Sequence, residues 1–387
     1  MVPRGGDGEV IWLAALSLAI WLGLTATGFW LFNARDNWIV SMAEPERWPD
    51  VVAVVPARNE ADVIARSLGS VAAQDYPGNF RVILVDDNSE DRTGEIARGL
   101  GGDRASVLSG APLAAGWTGK LWALSQGIAA AGTPQYLWLT DADIEHEPDT
   151  LRRLIEIAVN RDCTLVSFMA RLHCAGWHEK ALIPAFVHYF AMLYPFNWIN
   201  RPGPIAGAAG GCVLVKREAL ERAGGIAAIR TALIDDCALG ALLKRQGPIW
   251  LGLTQRSRSI RPYRNAGEVG AMIARSAYAQ LRYSPVMLAL TVIGLLLMFA
   301  VPVWLALAGV GAVRMLALAA LALMVLIVQP ILRFYRLSPL WGLAQPIVGL
   351  FYAACVMQSG WMHWRGKGGM WKGRAQAPQS TGAAVQS

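Results

Sequence analysis

Apolar positions collect at the two ends of the chain and alternate with polar ones in the middle. Residues 10–32 form one nearly uncharged run, and further runs fill 285–361, broken at Arg314 and at Arg333 and Arg336. A membrane span needs roughly 20 apolar residues, a length these runs reach. Spans are expected at about 286–310, 315–332 and 340–361. The last carries Gln345, Pro346 and Gln358, is the weakest, and either crosses or re-enters. The first run is longer than a signal-peptide core and no A-x-A site clearly follows it, so an uncleaved anchor fits better.

Between the ends, a strand-like run at 51–55 is stopped by Pro56, and a helical stretch follows at 60–73. A strand at 80–85, a helix at 91–99, an extended piece near Val107, a helix at 120–131 and a strand at 136–139 come next. Strands alternating with helices predict βαβ units and a mostly parallel sheet. In such sheets the ligand lies beyond the carboxyl ends of the strands. Further on, the pattern predicts helices at 150–159, 179–193 and 235–246, and strands at 164–169 and 212–215, the last after a glycine cluster at 207–211. The tail 373–387 is small and polar and reads as disordered.

Composition sharpens this picture. Of 387 residues, 54% are apolar and 16% charged, against about 25% charged in a soluble domain. The net charge of +7 is spread over the middle and the membrane flanks. That distribution suits anionic lipid head groups and does not call for nucleic acid. Five scattered cysteines without a C-x-x-C pair argue against a disulfide framework or a zinc site and suit a reducing compartment.

Three acidic sites carry candidate chemistry. Asp86-Asp87-Asn88-Ser89 ends one strand, where Asp86 can accept hydrogen bonds from a nucleotide base or ribose; a turn capped by Asp and Ser is the alternative. Asp141-Ala142-Asp143 ends another. Its i, i+2 carboxylates can flank a hard cation such as Mg²⁺ that also bridges to substrate phosphates; a capped turn leading to a helix start at Glu147-Pro148-Asp149-Thr150 is again the alternative. Asp235-Asp236 stands at a predicted helix start, where one acid can serve as general base or as cap.

The ordered set Pro56-Ala57-Arg58-Asn59-Glu60, Asp86-Asp87-Asn88-Ser89-Glu90-Asp91-Arg92-Thr93, Gly119-Lys120, Asp141-Ala142-Asp143 and Asp235-Asp236 resembles the inverting GT-A glycosyltransferases of family 2, over about 51–283. The blocks 116–124 and 206–215 and the flanking membrane segments look most like the hopene-associated glycosyltransferases of bacteria; the ceramide glucosyltransferase-like enzymes come next. The resemblance implies an α/β GT-A nucleotide-sugar-binding domain with transmembrane helices at both ends. It implies that Asp86 reads the base, with Pro56, Arg58, Glu60 and Asp87 in the donor pocket, and that Lys120 lies near the donor diphosphate. Asp141 and Asp143 match the D-x-D motif, Asp143 the more direct ligand of Mg²⁺ or Mn²⁺. Asp236 matches the general base. Asp235, Gln280, Arg282 and Tyr283 fall on the acceptor side; the last three sit in a variant of Q-x-x-R-W in which Ala279 replaces the first polar residue and Tyr283 the tryptophan.

The expected layout is an anchor at 1–34, a catalytic domain at 35–264, an amphipathic interfacial helix at 265–284, membrane segments at 285–364 and a basic, then disordered, tail at 365–387. The expected activity is transfer of a sugar from a nucleotide sugar, of the UDP type, to a lipid acceptor in hopanoid metabolism. The expected place is the inner membrane, with the catalytic domain cytosolic. A polyprenyl-phosphate or polysaccharide acceptor, or a non-catalytic nucleotide-binding membrane protein, are the alternatives. A Rossmann oxidoreductase would need G-x-G-x-x-G after the first strand, where Pro56-Ala57-Arg58-Asn59-Glu60 stands. Full spanning would leave the basic tail outside, against the positive-inside rule; a re-entrant last segment would leave it inside.

Overall fold

The computed structural model describes residues 7–36, 42–100, 102, 104–366, 368, 370–371 and 374–375. The chain divides into two compact units. One comprises Asn33–His173, Phe196–Arg261 and Gly369–Ser387; the other comprises Met1–Phe32, Cys174–Pro195 and Pro262–Gly368. The segment 35–264, expected as one continuous domain, is therefore interrupted, because Cys174–Pro195 belongs to the second, helical unit.

The first unit is built on eight strands: β1 Val51–Ala57, β2 Phe80–Asp86, β3 Ala105–Ser109, β4 Tyr136–Thr140, β5 Ile144–His146, β6 Leu165–Arg171, β7 Cys212–Lys216 and β8 Ile249–Ser259. Their order in the sheet is β3-β2-β1-β4-β7-β6-β8-β5. Strands β3, β2, β1 and β4 run parallel, as do β6 and β8, while β7 is antiparallel to both its neighbours and β5 to β8. The fold is the expected α/β one. Every residue of β1 is buried, as a strand covered on both faces requires. It runs on through Pro56 rather than stopping there. The β1–β4 ladder ends at Val54↔Leu139, before the residue that lacks a donor, while pairing with β2 continues to Ala57↔Asp86.

The helices expected from 91, 120, 150, 179 and 235 start within two residues of those positions, whereas the one expected from Glu60 starts at Ile64. Glycine at position 127 lets the Gly119–Ala130 helix lie close on the sheet: a Cβ there would stand 2.4 Å from Val54 Cγ1 and 2.9 Å from Val85 Cγ2. That close approach brings the helix N-terminus, with Lys120, over the carboxyl ends of the strands. The sequence pattern missed β5 and β8. In the second half of β8 the inward positions are Ser257 and Ser259 and the outward ones Arg256 and Arg258, so the period of two is present but carries no apolar signal.

Among the described residues, the helical unit holds three helices long and apolar enough to cross a membrane, Pro285–Ala308, Gly311–Phe334 and Pro339–Trp364, and a shorter apolar stretch, Val10–Ala26. Small residues set its packing. Ala14, Leu305 and Ala317 form a buried cluster, and Gly349 leaves room for the Phe299 ring. Trp21 Nε1 donates to the Met298 carbonyl at 3.0 Å, and its ring stands edge-on to Phe299. The Ala266–Gln280 helix turns Val269, Gly270, Ile273, Ala274 and Tyr278 inward. A Cβ on Gly270 would meet Phe351 and Cys355, and Tyr278 N donates to Ser359 Oγ at 2.9 Å. Of the helix expected to be interfacial, the face that carries Gly270 and Tyr278 is thus covered by the Gln345–Trp364 helix. Of the tail expected to be basic and then disordered, Met370–Trp371 pairs with Arg374–Ala375 as a short antiparallel ladder; 376–387 lie outside the described residues.

Candidate active site

The carboxyl ends of β1 and β4 and the starts of the Gly119–Ala130 and Asp235–Lys244 helices face one cleft in the α/β unit. Its lining includes Pro56, Lys120, Thr140, Asp141, Gly210, Asp235 and Asp236. Lys120 Nζ is the hub, 2.8 Å from Asp141 Oδ1 and 3.1 Å from Asp235 Oδ2. Burial disfavours its charge, but Asp141 and Asp235, with Asp236 behind them, outweigh burial and raise its pKa above the usual lysine value.

Asp236 is held from two sides. Gly210 N donates to Oδ2 at 3.0 Å and Cys237 N to Oδ1 at 2.7 Å. Burial and then the neighbouring charge of Asp235 raise its pKa to about 6, against the opposing pull of Lys120 and the two backbone donors. A carboxylate so poised is suited to take a proton near neutral pH. Asp235 was read as a possible helix cap. The N-cap position is Ile234 and no side-chain cap forms there; Asp235 is the first helical residue and is spent on Lys120. The helix start at Asp149-Thr150 is likewise uncapped by Asp149, which pairs with Arg256 at 3.0 Å instead.

The D-x-D turn is clamped from below. Thr140 Oγ1 donates to the Gly211 carbonyl at 2.8 Å and lies 2.8 Å from His146 Nε2, whose Nδ1 is 2.9 Å from Ser257 Oγ. With the Thr140 proton committed to Gly211, Nε2 carries the imidazole proton and Nδ1 accepts. Burial pushes the His146 pKa down to about 3, so the ring stays neutral. Ser67 Oγ donates to the Ala142 carbonyl at 2.6 Å. Asp143 Oδ2 accepts from Arg261 Nε at 3.1 Å, and Arg261 also pairs with Glu60. Sequence reasoning missed Arg261: it follows the second half of β8, which carries no apolar signal.

The motifs around Arg58 and Asp86 interlock two loops. Arg58 Nη1 donates to the carbonyls of Asp87 at 2.7 Å and Asn88 at 2.9 Å, and Nη2 pairs with exposed Glu90 at 3.1 Å. Asn59 N donates to Ser89 Oγ, and Glu90 N to Asn59 Oδ1. Asn59 and Asn88 are both left-handed, with φ of 52° and 53°, a conformation asparagine tolerates. Asp86 Oδ1 accepts from Ser89 N at 3.1 Å, and its Oδ2 lies where a Cβ on Gly94 would clash, at 2.2 Å. Asp87 is fully buried.

Gln280, Arg282 and Tyr283 belong to the helical unit. Tyr194 Oη donates to Gln280 Oε1 at 2.8 Å. Arg282 and Tyr283 are consecutive left-handed residues, with φ of 53° and 56°, and Tyr283 stacks on His363 with ring centroids 4.6 Å apart. These residues build a helix junction.

Among the described residues no three His, Cys, Asp or Glu side chains converge as a metal cage. Asp141 and Asp143, each paired with a cation, Lys120 and Arg261, are two oxygen-donor carboxylates of the kind that suits a hard divalent ion when substrate phosphates complete the coordination. They fit an ion that arrives with a diphosphate.

The fold is similar to that of a mannosyltransferase from Pyrobaculum calidifontis solved in complex with GDP-Man and Mn²⁺, with a TM-score of 0.57 and 20% identity, covering 91% of this chain and 99% of that one. Residues 52–224 match the profile of glycosyl transferase family 2, and the chain carries a domain of that family. The β-monoglucosyldiacylglycerol synthase of Synechocystis sp. is 27% identical over 177 residues, 39% of this chain and 37% of the relative. The 4,4'-diaponeurosporenoate glycosyltransferase of Staphylococcus aureus is 30% identical over 133 residues, 34% of each chain. The chain thus spans little more than a third of the length of these curated relatives.

Proposed function

We propose that the protein is a membrane-bound inverting glycosyltransferase that moves a sugar from a nucleotide sugar, of the UDP type, to a lipid acceptor. The observation that carries this reading is the convergence of Asp141, Lys120, Asp235 and Asp236 on one cleft. Relatives whose names specify a glucosyldiacylglycerol and a carotenoid acid as product or acceptor support the lipid acceptor. The three long apolar helices support the membrane. The resemblance of 116–124 and 206–215 to the hopene-associated enzymes favours a hopanoid-type lipid. Cytosolic nucleotide sugars favour an inner-membrane enzyme whose α/β unit faces the cytosol.

In this reading the donor lies over the ends of β1, β2 and β4, its base toward Asp86. Asp143 and Asp141 hold a divalent ion, Mg²⁺ or Mn²⁺. That ion supplies charge stabilisation to the leaving diphosphate. Lys120 reaches the same phosphates. Asp236 takes the proton of the acceptor hydroxyl as that oxygen forms the new glycosidic bond and the bond to the diphosphate breaks. Direct displacement inverts the anomeric centre and leaves no covalent enzyme intermediate. Membranes containing the protein, incubated with a panel of labelled nucleotide sugars and extracted with organic solvent, test the reading. Label in the organic phase is expected; label in a water-soluble polymer would replace the lipid acceptor with a polysaccharide.

A further inference from the structure

Each acid of the D-x-D turn already has a cation of its own. Lys120 holds Asp141 at 2.8 Å, and Arg261 holds Asp143 at 3.1 Å while pairing with Glu60 on the other side. Arg261 is not on a free loop. The neighbouring Ile260 N donates to the Asp143 carbonyl at 3.0 Å, and Ser259 pairs with Ile144 in the β5–β8 ladder. Backbone and side chain together seat the guanidinium on Asp143.

A divalent ion that takes Asp143 must first break a charge-assisted contact. Arriving alone, it displaces the guanidinium from Asp143 and brings no anionic oxygens to replace that contact, while the pair with Glu60 stays. Arriving with a nucleoside diphosphate, it brings phosphate oxygens that match the planar fork of arginine. We propose that Arg261 is a resident counter-ion that withholds Asp143 from free divalent metal and yields it to metal bound to a nucleoside diphosphate. Arg261 thereby couples metal binding to donor binding, as a positioning residue that acts through Asp143. The inference rests on the reading of Asp143 as metal ligand. Linkage makes the coupling reciprocal: the factor by which diphosphate tightens metal binding equals the factor by which metal tightens diphosphate binding.

The test measures Mn²⁺ binding by electron paramagnetic resonance on the detergent-purified full chain. Wild type, Arg261→Gln and Arg261→Lys are titrated alone and with UDP or GDP. Wild type is expected to bind Mn²⁺ at least about tenfold more tightly with the matching nucleotide than without it. Arg261→Gln is expected to bind Mn²⁺ alone about tenfold more tightly than wild type, or ~1.4 kcal/mol, and so to narrow that gap. Arg261→Lys keeps the charge without the fork and falls between, which also serves if the glutamine variant is unstable. Equal binding of Mn²⁺ alone by wild type and both variants overturns the inference while leaving the metal reading intact. Failure of wild type to bind Mn²⁺ with either nucleotide overturns the metal reading and the inference with it.

Discussion

The two units solve opposite problems with the same twenty side chains. In the α/β unit apolar residues are inside and charges gather in a cleft. Among the described residues, the exposed large apolar side chains lie in the helical unit, Leu100, Leu113, Val159 and Trp198 excepted. Trp12 is 75% exposed, Leu307 77% and Ile347 75%, while Ser17, His188, Gln345 and Ser359 are buried there. A surface like that is costly in water and suited to lipid. The α/β unit is specified by paired charges, the helical unit by close contacts of small residues. The comparison teaches that substitutions of charge will act on chemistry in one unit, and substitutions of volume on stability in the other.

The largest effect is expected at Asp143. Asp143→Ala removes the proposed metal ligand and should lower transfer by about 10³-fold or more, since a metal supplies several kcal/mol of charge stabilisation. Circular dichroism should show the fold intact, and chelation should silence wild type equally. Full transfer in excess chelator would break the claim that charge pairs here serve chemistry.

Asp236→Asn comes next. It keeps the shape but not the basicity, and should cost about 10²–10⁴-fold in turnover with donor binding little changed. Because the pKa of Asp236 is about 6 and the ionised form is the base, kcat/KM for wild type should fall as pH drops below about 6. Asp235 raises that pKa, so Asp235→Asn should move this acid limb to lower pH. A limb that stays in place in Asp235→Asn would detach it from Asp236.

In the helical unit, Gly349→Ala puts a Cβ 2.1 Å from Phe299 Cγ. Overpacking of this kind costs about 1–3 kcal/mol, read as a lower unfolding temperature in detergent, with nucleotide binding unchanged. Lost nucleotide binding at unchanged stability would blur the contrast between the units. The smallest effect is expected at Glu90→Gln. Glu90 is 80% exposed and such pairs contribute about 0–1 kcal/mol, while Arg58 keeps its two carbonyl partners. A larger loss would mean that the loop interlock depends on this one charge.

The sequence alone determined what is local. Periodicity placed the strands that begin at Val51, Phe80 and Tyr136 and the helices that begin near Lys120 and Asp235, and it put Asp86, Asp141 and Asp143 at strand ends. Apolar run length marked the three long helices. Tertiary structure decided what depends on pairs distant along the chain. Asp143 and Arg261 are 118 positions apart, and sheet order alone puts β5 beside β8. Asp235 is a partner of Lys120 and not a cap because the Gly119–Ala130 helix reaches the cleft over Gly127. The Cys174–Pro195 segment joins the helical unit although the residues on both sides of it belong to the sheet. Local patterns come from hydrogen bonding and side-chain period within one element, whereas ion pairs and unit membership follow from which elements become neighbours.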